Sequence, residues 1–182
     1  MSDDEKILID LVLAPYIIKA TALIGTGRRV GGNQFRHNFA TLGILLDYKY
    51  FSNSVLLKAS VIHDLIEDVP STDVDKLREI DRDADKVVEL VLEVTRQNNE
   101  TKALYLKRIL ETGTMNAKIL KVADRISNLT DLNSDSTTED KITNYLNETE
   151  QFVLPMAYQV NHDMVKELLD LITRRRNLIK HQ

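Results

Sequence analysis

His63-Asp64-Leu65-Ile66-Glu67-Asp68 is the stretch on which the reading of this chain turns. It follows an apolar run, Val55-Leu56-Leu57-Lys58-Ala59-Ser60-Val61-Ile62, and is closed by Val69-Pro70. Run and motif together predict one helix over residues 53–68, with Pro70 just past its end. Residues four apart share a helical face, which pairs His63 with Glu67 and Asp64 with Asp68. An imidazole and three carboxylates next to a buried segment need a partner, because burying charge alone is costly. A divalent cation satisfies all four; the alternative is a helix that simply leaves the core and carries these groups into solvent.

Working outward, the 182 residues suit one domain, residues 1–182, large enough to bury a real core. Hydrophobic residues make up 43% and charged residues 29%, the balance of a folded soluble chain. The net charge of -4 argues against nucleic-acid binding by charge alone, while leaving room for a local basic pocket. No cysteine is present, so disulfides, thiolate metal sites and cysteine nucleophiles are excluded. The acidic start is no signal peptide, and the run over residues 7–13 is too short to span a bilayer. A cytoplasmic location and no membrane partner are the expectation.

With 6 Gly and 3 Pro and no strand-turn rhythm, the pattern is helical almost throughout. Helices are expected over residues 3–23 (Ile7, Leu8, Leu11, Val12 and Ile18 apolar, Pro15 a kink or a break), 36–48, 53–68 and 71–80. Others are expected over 83–95, with Val87, Val88, Leu90, Val91 and Val94 inward, then over 100–110, 116–132 and in two closing segments from 139 joined near Leu154-Pro155. The glycine-rich stretch Gly25-Thr26-Gly27-Arg28-Arg29-Val30-Gly31-Gly32-Asn33 and a polar loop over 134–138 separate them. The fold class is all-α, a bundle of roughly eight to ten helices.

Two further pieces join the central motif. His37 stands at the start of the helix after the glycine-rich loop, and Asp124 interrupts the apolar helix Lys121-Val122-Ala123-Asp124-Arg125-Ile126-Ser127-Asn128-Leu129. A buried carboxylate calls for a cation; a surface ion pair with a neighbouring basic residue is the alternative for Asp124. His37, His63, Asp64 and Asp124 form a two-His, two-Asp set suited to manganese, iron, zinc or magnesium.

In this order the residues match the H…HD…D pattern of the HD-domain metal-dependent phosphohydrolases, and the chain resembles the RelA/SpoT-type (p)ppGpp hydrolase domain in its small stand-alone form. Arg28-Arg29 ahead of His37, the HDxxED stretch, Val88 to Thr95, KxADRxxN from Lys121 to Asn128, and Glu148-Thr149 with Pro155-Met156-Ala157 carry the resemblance. The sequence departs from the pattern at Gly32-Asn33-Gln34, where the family has Glu-Pro-Tyr, and at Asn38, where it has Pro. The departures fall in the loop that shapes the family's nucleotide pocket; the metal positions are intact.

The resemblance implies an HD-domain bundle, an enzyme, and hydrolysis of the 3′-pyrophosphate of guanosine tetra- and pentaphosphate with Mn2+ as the expected cofactor. Glu67 and Asp68 would orient or deprotonate water or protonate the leaving group. Arg28 and Arg29 would clamp phosphate or stack on a base, with Lys121 and Asn128 also at substrate, Asn128 bonding either the sugar or a metal ligand. Lys102, Lys107 and Arg108 offer charge for distal phosphates. The partner is a small-molecule nucleotide. The alternatives are an HD phosphohydrolase acting on another nucleotide and a nucleotide-binding regulatory module with little turnover. Tyr145 either covers the pocket or packs. His162 and His181 read as structural or exposed, and Arg174-Arg175-Arg176 with Lys180 as a solvated helix end favoured by the helix dipole.

Overall fold

A computed structural model describes residues 2–133 and 138–180. The expected polar loop lies almost wholly on residues 134–137, outside the described residues, as does His181. Among the described residues the regular structure is helical, with one isolated bridge between Gly27 and Asn33. No single helix among them is long and apolar enough to cross a membrane. The chain divides into two compact units, Met1–Gly27 with Asn33–Thr95, and Arg28–Gly32 with Arg96–Gln182.

In the first unit α1 (Asp3–Ile9) begins at a capping box between Ser2 and Glu5. The helix expected over 3–23 is not continuous: the chain breaks over 10–13, α2 (Ala14–Ala20) starts there, and a 3-10 turn (Thr21–Gly25) follows. Pro15 sits in the first turn of α2, where its missing N–H leaves no bond unmade, so of the kink and the break expected there the structure has the break. The apolar face also differs from expectation. Ile7, Val12 and Ile18 are exposed at 40, 54 and 68%, whereas Tyr16, Ala20 and Leu23 are fully buried.

Asn33 caps α3 (Gln34–Asp47), accepting from the Arg36 N–H at 2.9 Å. Asn53 caps α4 (Ser54–Ile62), in which every residue from Leu56 to Ile62 is buried. A helix buried all round belongs at the centre of its unit, and α4 packs against α2, α3 and α7 (Ala84–Val94). The single helix expected over 53–68 is broken at His63-Asp64, and α5 (Leu65–Asp68) resumes after it. Asp73 caps the short α6 (Val74–Arg78). On α7 the four valines and one leucine expected inward are all buried.

The buried Lys58 is held by Asp81 at 2.8 Å and Asp83 at 2.7 Å, while Tyr16 and Ser54 donate to the same two carboxylates.

The second unit is built on α9 (Met115–Asp131), started by a Thr114 cap, against which α8 (Lys102–Thr112), α11 (Leu154–Val160) and α12 (His162–Lys180) pack. Between α9 and α11 come α10 (Glu139–Glu148) and a π-helical turn (Thr149–Val153). The arginine run on α12 is not simply solvated. Arg174 pairs with Asp170 at the surface, but Arg175 donates to the carbonyls of Leu129 at 2.7 Å and Thr130 at 2.6 Å. Those carbonyls belong to the last turn of α9, where regular pairing runs out and the Leu132 N–H reaches Leu129 only at 3.4 Å, so Arg175 caps that helix. Arg176 reaches Glu150 and Asn147.

The Lys58 cluster sets a pH signature for the first unit. Burial works to lower the Lys58 pKa, but the hydrogen bonds it donates to Asp81 and Asp83, with their charges, more than offset it and the pKa is raised. Asp81 is likewise pushed up by burial yet held low by Lys58 and Tyr16, and the Lys58 hydrogen bond holds Asp83 low. The stabilisation is therefore present between the carboxylate and lysine ranges. It is lost as pH falls through the lowered aspartate values and as pH rises through the raised lysine value. Lys58→Met is expected to lower stability by about 2–3 kcal/mol near neutral pH, and urea melts at several pH values check that the loss shrinks in strong acid.

Candidate functional site

In the first unit, the cap at Asn33 starts α3 so that His37 falls one turn in, with only 3% of its surface exposed. His63 and Asp64 occupy the break after α4, His63 itself being 5% exposed. The His63 Nδ1 lies 2.8 Å from the Ser60 carbonyl oxygen. That oxygen only accepts, so Nδ1 carries the hydrogen and the Nε2 of a neutral ring carries the lone pair. Nε2 of His63 is 3.4 Å from Asp64 Oδ2, and Nε2 of His37 is 3.7 Å from the same atom. The two rings meet edge-on with centroids 5.4 Å apart.

Asp64 Oδ2 is buried and accepts no hydrogen bond. A carboxylate oxygen facing an imidazole lone pair is acceptor against acceptor, an arrangement that calls for a positive charge. Either an imidazolium proton or a metal ion supplies it. The backbone carbonyl that orients His63 is the kind of outer partner that fixes a metal-binding histidine. His37, His63 and Asp64 can therefore take a divalent cation.

Asp68 N–H donates to the Asp64 carbonyl at 2.9 Å, so the relation expected for that pair survives the break. Asp68 Oδ2 accepts from Gln34 Nε2 of α3 at 2.7 Å. Burial raises the Asp68 pKa, the Gln34 hydrogen bond pulls it back, and the negative charges of Asp64 and Glu67 add to the rise. Glu67 is exposed.

In the second unit, Asp124 is a buried donor of the type a divalent ion takes, as are His37 and His63. Its oxygens are met by Lys121 Nζ at 2.6 Å and Asn128 Nδ2 at 2.5 Å. Burial works to lower the Lys121 pKa, but the charge and hydrogen bond of Asp124, with Tyr105, together outweigh it and the pKa is raised. The network continues through Asn128 Oδ1 to Arg28 at 2.9 Å and from Arg28 to Asp131 at 2.5 Å. Arg28, expected as a free clamp, is 7% exposed and tied to α9.

Arg29 behaves differently. It lines a cleft of about 300 Å³ with Lys102, Lys141, Asn144, Tyr145 and Glu148. Lys102 Nζ lies 2.7 Å from Glu148 and 4.4 Å from the centre of the Tyr145 ring. Burial lowers the Lys102 pKa, with Glu148 opposing. Lys107 and Arg108 face other partners, Glu111 and Glu100. His162 is exposed, its ring against Tyr158.

No protein-family model matches the sequence, and no curated protein matches it. A solved structure does: a metazoan ortholog of SpoT, described as hydrolysing ppGpp and playing a role in starvation responses. It aligns with a TM-score of 0.76 over 91% of this chain and 96% of that chain, at 20% identity. The chain has the fold of that hydrolase. Its all-α architecture is thus as expected.

Lys141 and Asn144 of the cleft were not singled out from sequence, although a signal exists. Lys141, Asn144, Tyr145 and Glu148 follow the i, i+3, i+4, i+7 spacing of one helical face, and that face is polar and aromatic rather than apolar. Gln34 was noticed only as a departure from a pattern; its contact with Asp68 requires the folded chain.

Removing the donor that Gln34 gives Asp68 removes the force that lowers its pKa, so Gln34→Leu is expected to move the Asp68 titration upward. Carbon-detected NMR of the carboxyl group in metal-free protein measures it; an unchanged or lowered midpoint contradicts the assignment.

Proposed function

We propose that this protein is a metal-dependent phosphohydrolase that removes the 3′-pyrophosphate of guanosine tetra- and pentaphosphate, giving GDP and pyrophosphate from ppGpp. The observation that carries the hydrolase reading is the buried Asp64 Oδ2 set against the Nε2 atoms of His37 and His63. The fourth ligand in this reading is Asp124, on the strength of the sequence motif. Manganese is the ion proposed, the cytoplasm the compartment, and the two units work as one hydrolase domain. The choice of substrate is supported by the HDxxED and KxADRxxN stretches and by the described activity of the structural neighbour.

A bound divalent ion supplies an acidified water and offsets phosphate charge. The protein's own residues do the rest. Gln34 holds Asp68 Oδ2, leaving Oδ1 to take up or return a proton at a pKa that burial has raised. Glu67, exposed on the same short helix, orients the water. The basic cleft gives Arg29, Lys102 and Lys141 as partners for phosphate and Tyr145 as an aromatic wall. Lys121 and Asn128 act at substrate only by leaving Asp124, and Arg28 by leaving Asp131, so their part is to set the site's charge and shape.

The departure at Gly32-Asn33-Gln34 favours a second reading, an HD phosphohydrolase with a different nucleotide. Gly31 and Gly32 have φ of 92° and 74°, a turn that side-chain-bearing residues rarely adopt, so a glutamate in the place of Gly32 would be strained here.

Product analysis after incubation with Mn2+ and a nucleotide panel decides. GDP and pyrophosphate from ppGpp support the proposal; turnover of a nucleoside monophosphate alone supports the second reading. Binding without turnover would make the protein a regulatory module. His63→Ala and Asp64→Ala are expected to abolish stoichiometric metal binding. Asp68→Ala should keep the metal while the rate falls by about 10²–10⁴-fold. Arg29→Ala should mainly raise KM, since it removes binding shared by ground and transition states.

A further inference from the structure

Asn38 lies inside α3 next to His37, fully buried. Its Nδ2 donates to the Val61 carbonyl at 3.1 Å, and its Oδ1 is buried and accepts no hydrogen bond. A buried amide with half its capacity unmet is unusual, and the half that is met identifies what the residue does. An amide turned the other way would set oxygen against oxygen, so the donor's direction follows from its partner.

The partner is a carbonyl of the last turn of α4. A helix that ends at Ile62 leaves the carbonyls of its last four residues without intrahelical donors. Two of them have found side chains. The Ser60 oxygen meets the ring of His63, and the Val61 oxygen takes the Asn38 amide. Both bonds act on the same short break. The first turns the His63 ring. The second ties the backbone two residues before His63 to the residue that follows His37, linking the two segments that carry the imidazoles. One turn earlier on α3, Gln34 ties the far end of the stretch through Asp68. Helix α3 thus grips the stretch from Val61 to Asp68 at both ends.

We infer that Asn38 is a positioning residue for the metal centre: its amide stabilises the break in α4 and sets His63 and Asp64 in register with His37. The inference rests on the metal reading of those three residues. Asn38 touches neither ion nor substrate; it acts through the backbone that presents the ligands, as outer partners of metal sites do.

The test is the affinity of the metal-free protein for Mn2+ alone, by isothermal titration, at a temperature where each variant is fully folded by circular dichroism. Asn38→Leu keeps the volume and removes the donor, and is expected to weaken Mn2+ binding by about 10–100-fold. Asn38→Ala serves if the leucine variant does not fold. Leu45→Ala, a core truncation on the same helix, is the control: it should lower Tm and leave Mn2+ affinity near that of wild type. Wild-type affinity in a folded Asn38 variant overturns the inference, as does an equal loss in Leu45→Ala. A wild-type protein that binds no divalent ion overturns the metal reading, and this inference with it.

Discussion

A carboxylate oxygen buried against two imidazole nitrogens is the constraint to which the first unit answers. Nothing in α4 itself can host it, because the helix is buried on every side from Leu56 to Ile62 and any polar group there must find a partner within the core. Lys58 shows the terms: it is tolerated only because two carboxylates, a tyrosine and a serine complete its network. The polar side chains of His63 and Asp64 are therefore placed where the helix stops. The stop frees carbonyls, and a freed carbonyl fixes the ring. Unsatisfied backbone at a helix end, ordinarily a debt to solvent, becomes the means of orienting His63.

This explains which parts of the fold were legible in the sequence. The helix over 83–95 was read almost to the residue because Val87, Val88, Leu90, Val91 and Val94 repeat at helical spacing and are buried. The helix over 116–132 was legible for the same reason, and Asp124 stood out as an acid within it. The break at His63-Asp64 was not legible. It contains no Gly or Pro, and α4 and α5 differ from a continuous helix by contacts with Ser60 and Asn38, the latter distant in sequence. Local pattern favours continuation; tertiary hydrogen bonds overrule it. At the N-terminus the error ran the other way. Ile7, Val12 and Ile18 were the apolar positions that marked the helix, while the face that packs is defined by Tyr16, Ala20 and Leu23.

Charge was harder to read than apolar pattern, because a basic side chain declares its sign but not its partner. Arg28 and Arg29 are neighbours in sequence with opposite fates, one tied to Asn128 and Asp131 and the other lining the cleft. A turn closed by Arg28 N–H to the Gly32 carbonyl and Gly31 N–H to the Arg28 carbonyl, at 3.1 Å each, separates them. Arg175 was placed in solvent because it lies in a basic run, yet it caps α9. In each case the deciding group is a backbone carbonyl or a distant acid that composition does not reveal.

The wall of the cleft shows how far such partners can determine a single side chain. Arg125 is 2% exposed on α9, and its guanidinium lies 4.0 Å from the centre of the Tyr145 ring. The same residue donates to the Tyr145 carbonyl at 3.3 Å and to the Thr149 hydroxyl at 2.8 Å. Thr149 in turn donates its hydroxyl to the Tyr145 carbonyl at 2.7 Å, at the point where α10 gives way to the π turn. A threonine bonding back to the preceding turn disturbs regular α-helical pairing, and a π turn is where that disturbance is absorbed. Tyr145 is thereby held at its ring by a cation and at its carbonyl by a shared pair of donors. Burial keeps its phenol neutral by raising its pKa, against the pull of Arg125 and Lys121. A flat aromatic surface fixed in this way meets a ligand without first being ordered, so less of the binding energy is spent on restraining the wall.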